Sequence, residues 1–338
     1  MKLNLRKVLA VALVGVLFYV GWSIYQGVGK MQAALATFHW WAFAVACLLA
    51  FGNYILRFLK WEFYLARLGI KGVGKVDSFL TFLSGFVLTV SPGKVGEALK
   101  SFILFETHGV PIAKTAPIVV AERVTDVLGI AILIAVASLG FDGGLVFAGI
   151  GVGLVTVLIA FMTSEKLALF AIGLVEKMPP RIAKIAPKLR HSREALATML
   201  APRNLLFPTF ISACAWMLEC LALYVILRGF GADPSIMFAS FVYATSTLAG
   251  ALAIITPGGM GVTEGALVAQ LHEVGKVPME SASATTILVR FATLWFAVIV
   301  GFVALTLLKR RYPTLMRDKP AATTATAEPP EKPTTAAP

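Results

Sequence analysis

Charge is what this sequence is short of. Asp, Glu, Lys and Arg make up 14% of the 338 residues, where soluble domains run near 25%, and that deficit argues against a water-soluble globule. Catalytic signatures are missing as well. The four histidines (His39, His108, His191, His272) form no His-x-x-x-His or His-Glu-x-x-His pair, and there is no Gly-x-Ser-x-Gly element and no Walker-type phosphate loop. Metal hydrolysis, serine acyl transfer and nucleotide hydrolysis by this chain therefore have no sequence support. No metal, no cofactor and no enzymatic activity are expected. Cysteine is scarce: Cys47, Cys214 and Cys220 all sit in apolar runs, show no metal-ligand spacing and read as small hydrophobes.

What is present is apolar. Hydrophobic residues reach 58% and the mean hydropathy is +0.82. Runs of 18 residues or more recur, the length a helix needs to cross about 30 Å of hydrocarbon. Candidate spans are Val8–Tyr25, Trp40–Phe58, Ala116–Leu139, Leu145–Thr163, Leu205–Leu227 and Ala284–Leu308. The first opens after Lys2, Arg6 and Lys7 as a signal peptide would, but it lacks a small-x-small cleavage site and more spans follow, so it reads as a retained helix. Two further stretches, Phe79–Val90 and Ile236–Ile255, run into Pro-Gly breaks. The expected fold is all-α: a polytopic integral membrane protein with about six full spans and two inverted re-entrant or broken helix pairs. It occupies residues 1–310, and a Pro/Thr/Ala-rich tail over 311–338 is too poor in large apolar residues to form a core.

The +12 net charge reads as membrane orientation rather than nucleic-acid binding. With the N-terminus inside, 25 of the 30 Lys and Arg residues fall on that side and only Lys30 and Lys276 on the other. Arg123, Arg228 and Arg290 lie in or at the ends of spans. By the positive-inside rule this predicts a multi-pass protein of the cytoplasmic membrane with both termini cytoplasmic. The basic 164–204 connection (Lys177, Arg181, Lys184, Lys188, Arg190, Arg193) reads equally as an interfacial segment on anionic headgroups or as a plain topology signal. The ledger also requires each Pro-Gly unit to return to the side it came from, which leaves re-entry and two short crossings both open.

The Pro-Gly units echo each other. Residues 91–99 read Ser91-Pro92-Gly93-Lys94-Val95-Gly96-Glu97-Ala98-Leu99. Residues 256–267 carry Thr256, Pro257, Gly258, Gly259, Gly261 and Glu264 before Ala266-Leu267. By the charge ledger they enter from opposite sides, as an inverted repeat would. A hydroxyl residue followed by Pro is a good helix start. A helix beginning deep in the bilayer aims its positive end and unpaired N–H groups inward, at a place suited to phosphate or carboxylate, and Lys94 adds a full charge. The plainer alternative is a pair of proline kinks.

Charges within spans are costly and tend to face a cavity or a partner. Glu122 and Asp126 are four apart and share a helix face, with Arg123 between them; Arg290 lies six residues into its span and Glu219 mid-span. Arg123 has the forked geometry that suits a carboxylate or a lipid phosphate. The competing reading is ion pairing that holds helices together, to which Glu219 is assigned. Glu97 and Glu264 read equally as acceptors for loop N–H groups.

Taken together, Ser91 through Glu97, the Glu122-Arg123-x-x-Asp126 cluster and the TPGGMGVTEG element at 256–265 resemble the lysylphosphatidylglycerol synthase transmembrane-region family, over about residues 5–310. The resemblance implies paired re-entrant elements and a flippase-like role in moving lipids or lipid-linked headgroups between leaflets. It places Ser91, Pro92, Gly93, Lys94, Gly96, Glu97, Glu122, Arg123, Asp126, Thr256, Pro257, Gly258, Gly259, Gly261, Glu264 and Arg290 at a central substrate site. Lysyl transfer is not expected, because only a short basic, Pro-rich tail follows Leu308. The expected partners are membrane lipids with anionic headgroups, together with a homo-oligomer or a lipid-biosynthesis enzyme. In this reading Glu122 and Asp126 balance the cations of the empty site and couple it to protons or ions. An accessory or catalytic role in a lipid-modifying system, and small-solute transport, remain the alternatives.

Overall fold

The computed structural model describes residues 35–90, 96–140, 201–253 and 256–316, with isolated helical positions at 21, 146, 149, 153, 173 and 199. Apart from those isolated positions, the Val8–Tyr25 and Leu145–Thr163 runs and the basic 164–204 connection up to residue 200 lie outside the described residues, as do residues 91–95 and the chain beyond residue 316.

The described residues are helical throughout, with no strand among them. Helix α1 (Trp41–Arg67) is followed by α2 (Lys75–Ser84), which tightens into a 3₁₀ turn over Gly85–Leu88. After the first break come α3 (Gly96–His108) and α4 (Ile112–Ser138). The second half holds α5 (Pro202–Gly229), α6 (Ile236–Leu252), a 3₁₀ turn at Pro257–Gly259, α7 (Val262–Glu273) and α8 (Met279–Arg290). A π turn over Phe291–Trp295 joins α8 to α9 (Phe296–Arg311), so 279–311 forms one long rod with a local irregularity. Among the described residues, three rods are long and apolar enough to cross a membrane: Trp41–Arg67, Arg203–Gly229 and Met279–Arg311. The α4 helix has the same 27 residues as α1, about 40 Å of rise, but carries charge at its centre.

Local chemistry explains where these helices start and stop. Pro111 and Pro202 open α4 and α5 where a missing N–H costs nothing. The Ser235 hydroxyl accepts from the Phe238 N–H at 3.0 Å and caps α6. Glu264 accepts from the Gly261 N–H at 2.7 Å and fixes the start of α7.

In lipid the apolar effect does not pull helices together, so close packing and interhelical hydrogen bonds must do so. Small residues permit that approach. A Cβ added at Gly129 of α4 would lie 2.8 Å from the Ala213 nitrogen of α5, and one at Gly301 of α9 would lie 2.7 Å from the Val87 nitrogen of the 3₁₀ turn. Asn53 on α1 donates to the Ala215 carbonyl of α5 at 2.8 Å, and Tyr54 donates to the Thr293 carbonyl within the π turn at 3.0 Å.

The span limits read from sequence are corrected at one place that matters. The Trp40–Phe58 run already takes in Arg57 and is too short: α1 continues to Arg67 with Lys60 fully buried. Lys60 and Lys100, which the charge ledger counts on the inner side, are buried in helix packing. Residues 311–316, at the start of the Pro/Thr/Ala-rich tail, are helical or turn and dock on the bundle: Tyr312 donates to Asp77 at 2.9 Å and the Met316 N–H to Glu106 at 2.9 Å.

Candidate functional site

The described residues bordering the two breaks approach each other. The first half contributes the 3₁₀ turn and Thr89–Val90, and the second contributes the Pro257–Gly259 turn. Gly258 adopts φ 61° and ψ 16°, a conformation glycine reaches without penalty. A Cβ there would sit 3.3 Å from the Thr89 carbonyl and 3.5 Å from Val90 Cα. The two segments therefore abut backbone to backbone.

Beside this contact lies a chamber of about 110 Å³. Its walls come from both halves of the chain: Tyr54 and Arg57 of α1, Phe86 to Thr89 of the first turn, Arg123 of α4, Trp216 and Glu219 of α5, Tyr243 and Thr247 of α6, Gly258, Thr263 of α7, and Arg290 and Thr293 near the π turn. Among the described residues, three guanidinium groups line the space with one carboxylate, Glu219. Hydroxyls from Tyr and Thr and the unpartnered indole N–H of Trp216 supply further donors.

Two of the arginines, Arg290 and Arg57, are held by contacts of different kinds. Arg290 donates through Nε to Glu264 at 2.7 Å and through a terminal nitrogen to the Gly258 carbonyl at 3.3 Å. This bond pattern ties the guanidinium to the second break and to the first turn of α7. The π turn begins one residue after Arg290, in keeping with the frequent placement of such turns at working sites. Arg57 lies 3.7 Å from Asp126 and packs over the Phe86 ring at 5.6 Å.

Behind the arginines lies a buried layer of ion pairs. Lys60 donates to Asp126 at 2.6 Å, to Ser212 at 2.7 Å and to Thr125 at 3.2 Å. Ser212 also donates to Asp126, at 3.0 Å. Lys100 donates to Glu122 at 2.5 Å and lies over the rings of Trp61 and Phe82, at 4.7 and 5.1 Å. Such pairs endure only where their remaining hydrogen bonds are also met, which Lys60 achieves with three side-chain oxygens.

The residues singled out from sequence thus divide. Arg123, Gly258 and Arg290 reach the chamber wall. Glu264, Gly259, Gly261, Thr256 and Pro257 shape the second break: the Thr256 hydroxyl donates to the Ala253 carbonyl at 2.9 Å, and Gly261 has φ 86°. Glu122 and Asp126 do share a face of α4 and line the layer behind the chamber, where Glu122 pairs with Lys100 and Asp126 with Lys60, Asp126 also lying 3.7 Å from the chamber arginine Arg57. Gly96 and Glu97 open α3. Glu219, read as a packing residue, faces the chamber with Tyr243 donating to it at 2.6 Å. Tyr54, Arg57, Lys60, Lys100 and Trp216 were not singled out. The three-residue spacing Tyr54, Arg57, Lys60 lays one polar face along α1 and would have revealed the first three.

Comparison with known proteins finds membrane-protein relatives. A UPF0104 membrane protein of Methanothermobacter thermautotrophicus is 24% identical over 316 residues, covering 86% of this chain and 93% of the relative. A UPF0104 membrane protein of Methanocaldococcus jannaschii is 22% identical over 338 aligned residues, covering 92% and 97%. The family model described as the lysylphosphatidylglycerol synthase TM region matches residues 7–301. The chain, an integral membrane protein with a polar chamber where its helix breaks meet, belongs to the lysylphosphatidylglycerol synthase transmembrane-region family.

Proposed function

We propose that this protein moves an anionic lipid, a glycerophospholipid or a polyprenyl phosphate, between the leaflets of the cytoplasmic membrane. The observation that carries this reading is the convergence of Arg57, Arg123 and Arg290 on one chamber at the contact between the two breaks. A phosphate group suits forked guanidiniums and the inward ends of α3 and α7, while the acyl or prenyl tails stay in the bilayer. In this reading the α2–α3 and α6–α7 pairs are inverted re-entrant elements, both termini are cytoplasmic, and the chamber opens alternately to the two sides. The layer of Lys60–Asp126 and Lys100–Glu122 pairs is the rigid back wall that keeps Arg57 and Arg123 in place.

Reconstitution tests it. Purified protein in liposomes carrying fluorescent phosphatidylglycerol or a polyprenyl phosphate should accelerate leaflet exchange over protein-free liposomes, with slower exchange for a neutral-headgroup lipid. Equal rates with and without protein across these lipids would overturn the proposal.

A further inference from the structure

We infer that Glu219 is the proton-carrying group of the chamber, taking up one proton for each anionic headgroup that binds. The inference rests on the headgroup reading above and deepens it by naming what couples the movement to an energy source.

Glu219 differs from every other buried carboxylate of the described bundle core. Glu122, Asp126 and Glu264 each have a lysine or arginine nitrogen at 2.5 to 2.7 Å. Glu219 has none within ion-pair distance among the described residues; its one side-chain partner is the Tyr243 hydroxyl at 2.6 Å. It is nevertheless buried in the middle of α5, 7% exposed, and it lines the same space as the three arginines. The titratable and charged groups facing it are Cys47, Tyr54 and Arg57 on α1, Arg123 and Asp126 on α4, Tyr243 on α6, Arg290 on α8, and Cys220 beside it on α5.

With the chamber vacant, Arg57, Arg123 and Arg290 are the positive charges that make an ionised Glu219 tolerable. A phosphodiester that engages those arginines brings a second negative charge into the same low-dielectric space and removes that compensation. Two anions so placed do not both stay ionised. The phosphodiester cannot accept a proton near neutral pH, so the carboxylate takes one from water on the open side. The bonds balance simply: one O–H forms on Glu219 and one is lost from hydronium. Headgroup and proton then cross as an electroneutral pair, and a proton gradient drives the headgroup. By linkage, headgroup affinity falls as pH rises through the range in which the occupied site holds its proton.

The test is calorimetric titration of the purified protein in micelles with dihexanoyl phosphatidylglycerol, a soluble diester that does not titrate near neutrality. Runs in two buffers of different ionisation enthalpy, from about pH 5 to 8, give the protons taken up per headgroup bound. The wild-type protein should take up close to one within that range, and Glu219→Gln, which keeps the Tyr243 hydrogen bond, should bind with uptake near zero. Tyr243→Phe removes the one donor that favours the ionised carboxylate and should move the uptake range to higher pH; it decides the matter if Glu219→Gln does not fold. Binding by the wild type without proton uptake anywhere in the range overturns the inference and leaves the headgroup reading standing, as does full uptake by Glu219→Gln or an unmoved range in Tyr243→Phe. No binding by the wild type overturns both.

Discussion

Arg290 and Glu264 form a buried ion pair at 2.7 Å in which each partner also holds the backbone of the second break, Arg290 through the Gly258 carbonyl and Glu264 through the Gly261 N–H. One pair of side chains thus fixes a chamber wall, a glycine turn and a helix start together. Its position makes it structural and electrostatic at once. Truncating the carboxylate leaves a guanidinium buried against its neighbours without its counter-charge, so Glu264→Ala should cost about 3 kcal/mol. Glu264→Gln, which still accepts from Gly261, should cost less. Unfolding by SDS titration checks both, and equal losses in the two variants would remove the charge from the account.

The Lys60–Asp126 pair predicts a different pattern. Lys60 is fully buried with Asp126, Ser212 and Thr125 as its partners. Asp126→Asn leaves an unbalanced ammonium in the packing and should destabilise the fold by about 3 kcal/mol, whereas replacing both partners by apolar residues, Lys60→Met with Asp126→Leu, should recover most of that loss. A double-mutant cycle on apparent melting temperature reads the difference. A double variant no better than Asp126→Asn alone would show that the pair is not a self-contained unit. Whatever stability returns, leaflet exchange should stay reduced in the double variant, because Arg57 loses the carboxylate 3.7 Å away that orients it.

These two pairs show how far the sequence can be read. Apolar runs located α1, α4, α5, α6 and the α8–α9 rod, because a predominantly apolar stretch of about 20 residues has few other uses. Glu122, Arg123, Asp126 and Arg290 stood out for the converse reason: charge inside a run must be explained. Lys60 escaped notice because it follows the apolar run directly and reads as a flanking headgroup charge. Its neutralising partner is 66 residues away, and no local pattern announces such a pairing. Glu219 was visible as a charge, but its environment is assembled from α1, α6 and α8, so a packing role and a chamber role look the same along the chain. The π turn after Arg290 also has no local signature, since its Phe-Ala-Thr-Leu-Trp sequence would suit an ordinary helix.

Gly258 offers a test of the contact between the breaks. Gly258→Ala must hold an L residue at φ 61°, a cost of about 1–2 kcal/mol, and must press a methyl against the Thr89 carbonyl and Val90. Stability should fall modestly and leaflet exchange strongly, because the substitution pries apart the two segments that border the chamber. Gly265→Ala is the control: that glycine lies within α7 with open space around its Cβ position, and alanine there should be neutral or stabilising by about 0.5–1 kcal/mol. Equal exchange rates for the two variants would show that the breaks need not touch.

The chamber arginines should separate charge from shape. A hydrogen bond to a charged group contributes about 1.5–3 kcal/mol, so Arg123→Gln should slow exchange of phosphatidylglycerol by roughly ten- to a hundredfold. Arg123→Lys keeps the charge but loses the planar fork that grips a phosphate with two parallel N–H groups, and it should recover only part of the rate. Arg57→Gln should behave like Arg123→Gln, with the added loss of its contact over Phe86. If the arginines serve the headgroup, Arg123→Gln should lose more rate than any fall in its melting temperature explains, Arg57→Gln should lose both because it also leaves Asp126 and Phe86, and raised salt should slow the wild-type protein less than it would a surface-charge effect. A rate for Arg123→Gln equal to that of the wild type would take this side chain out of the path of the lipid.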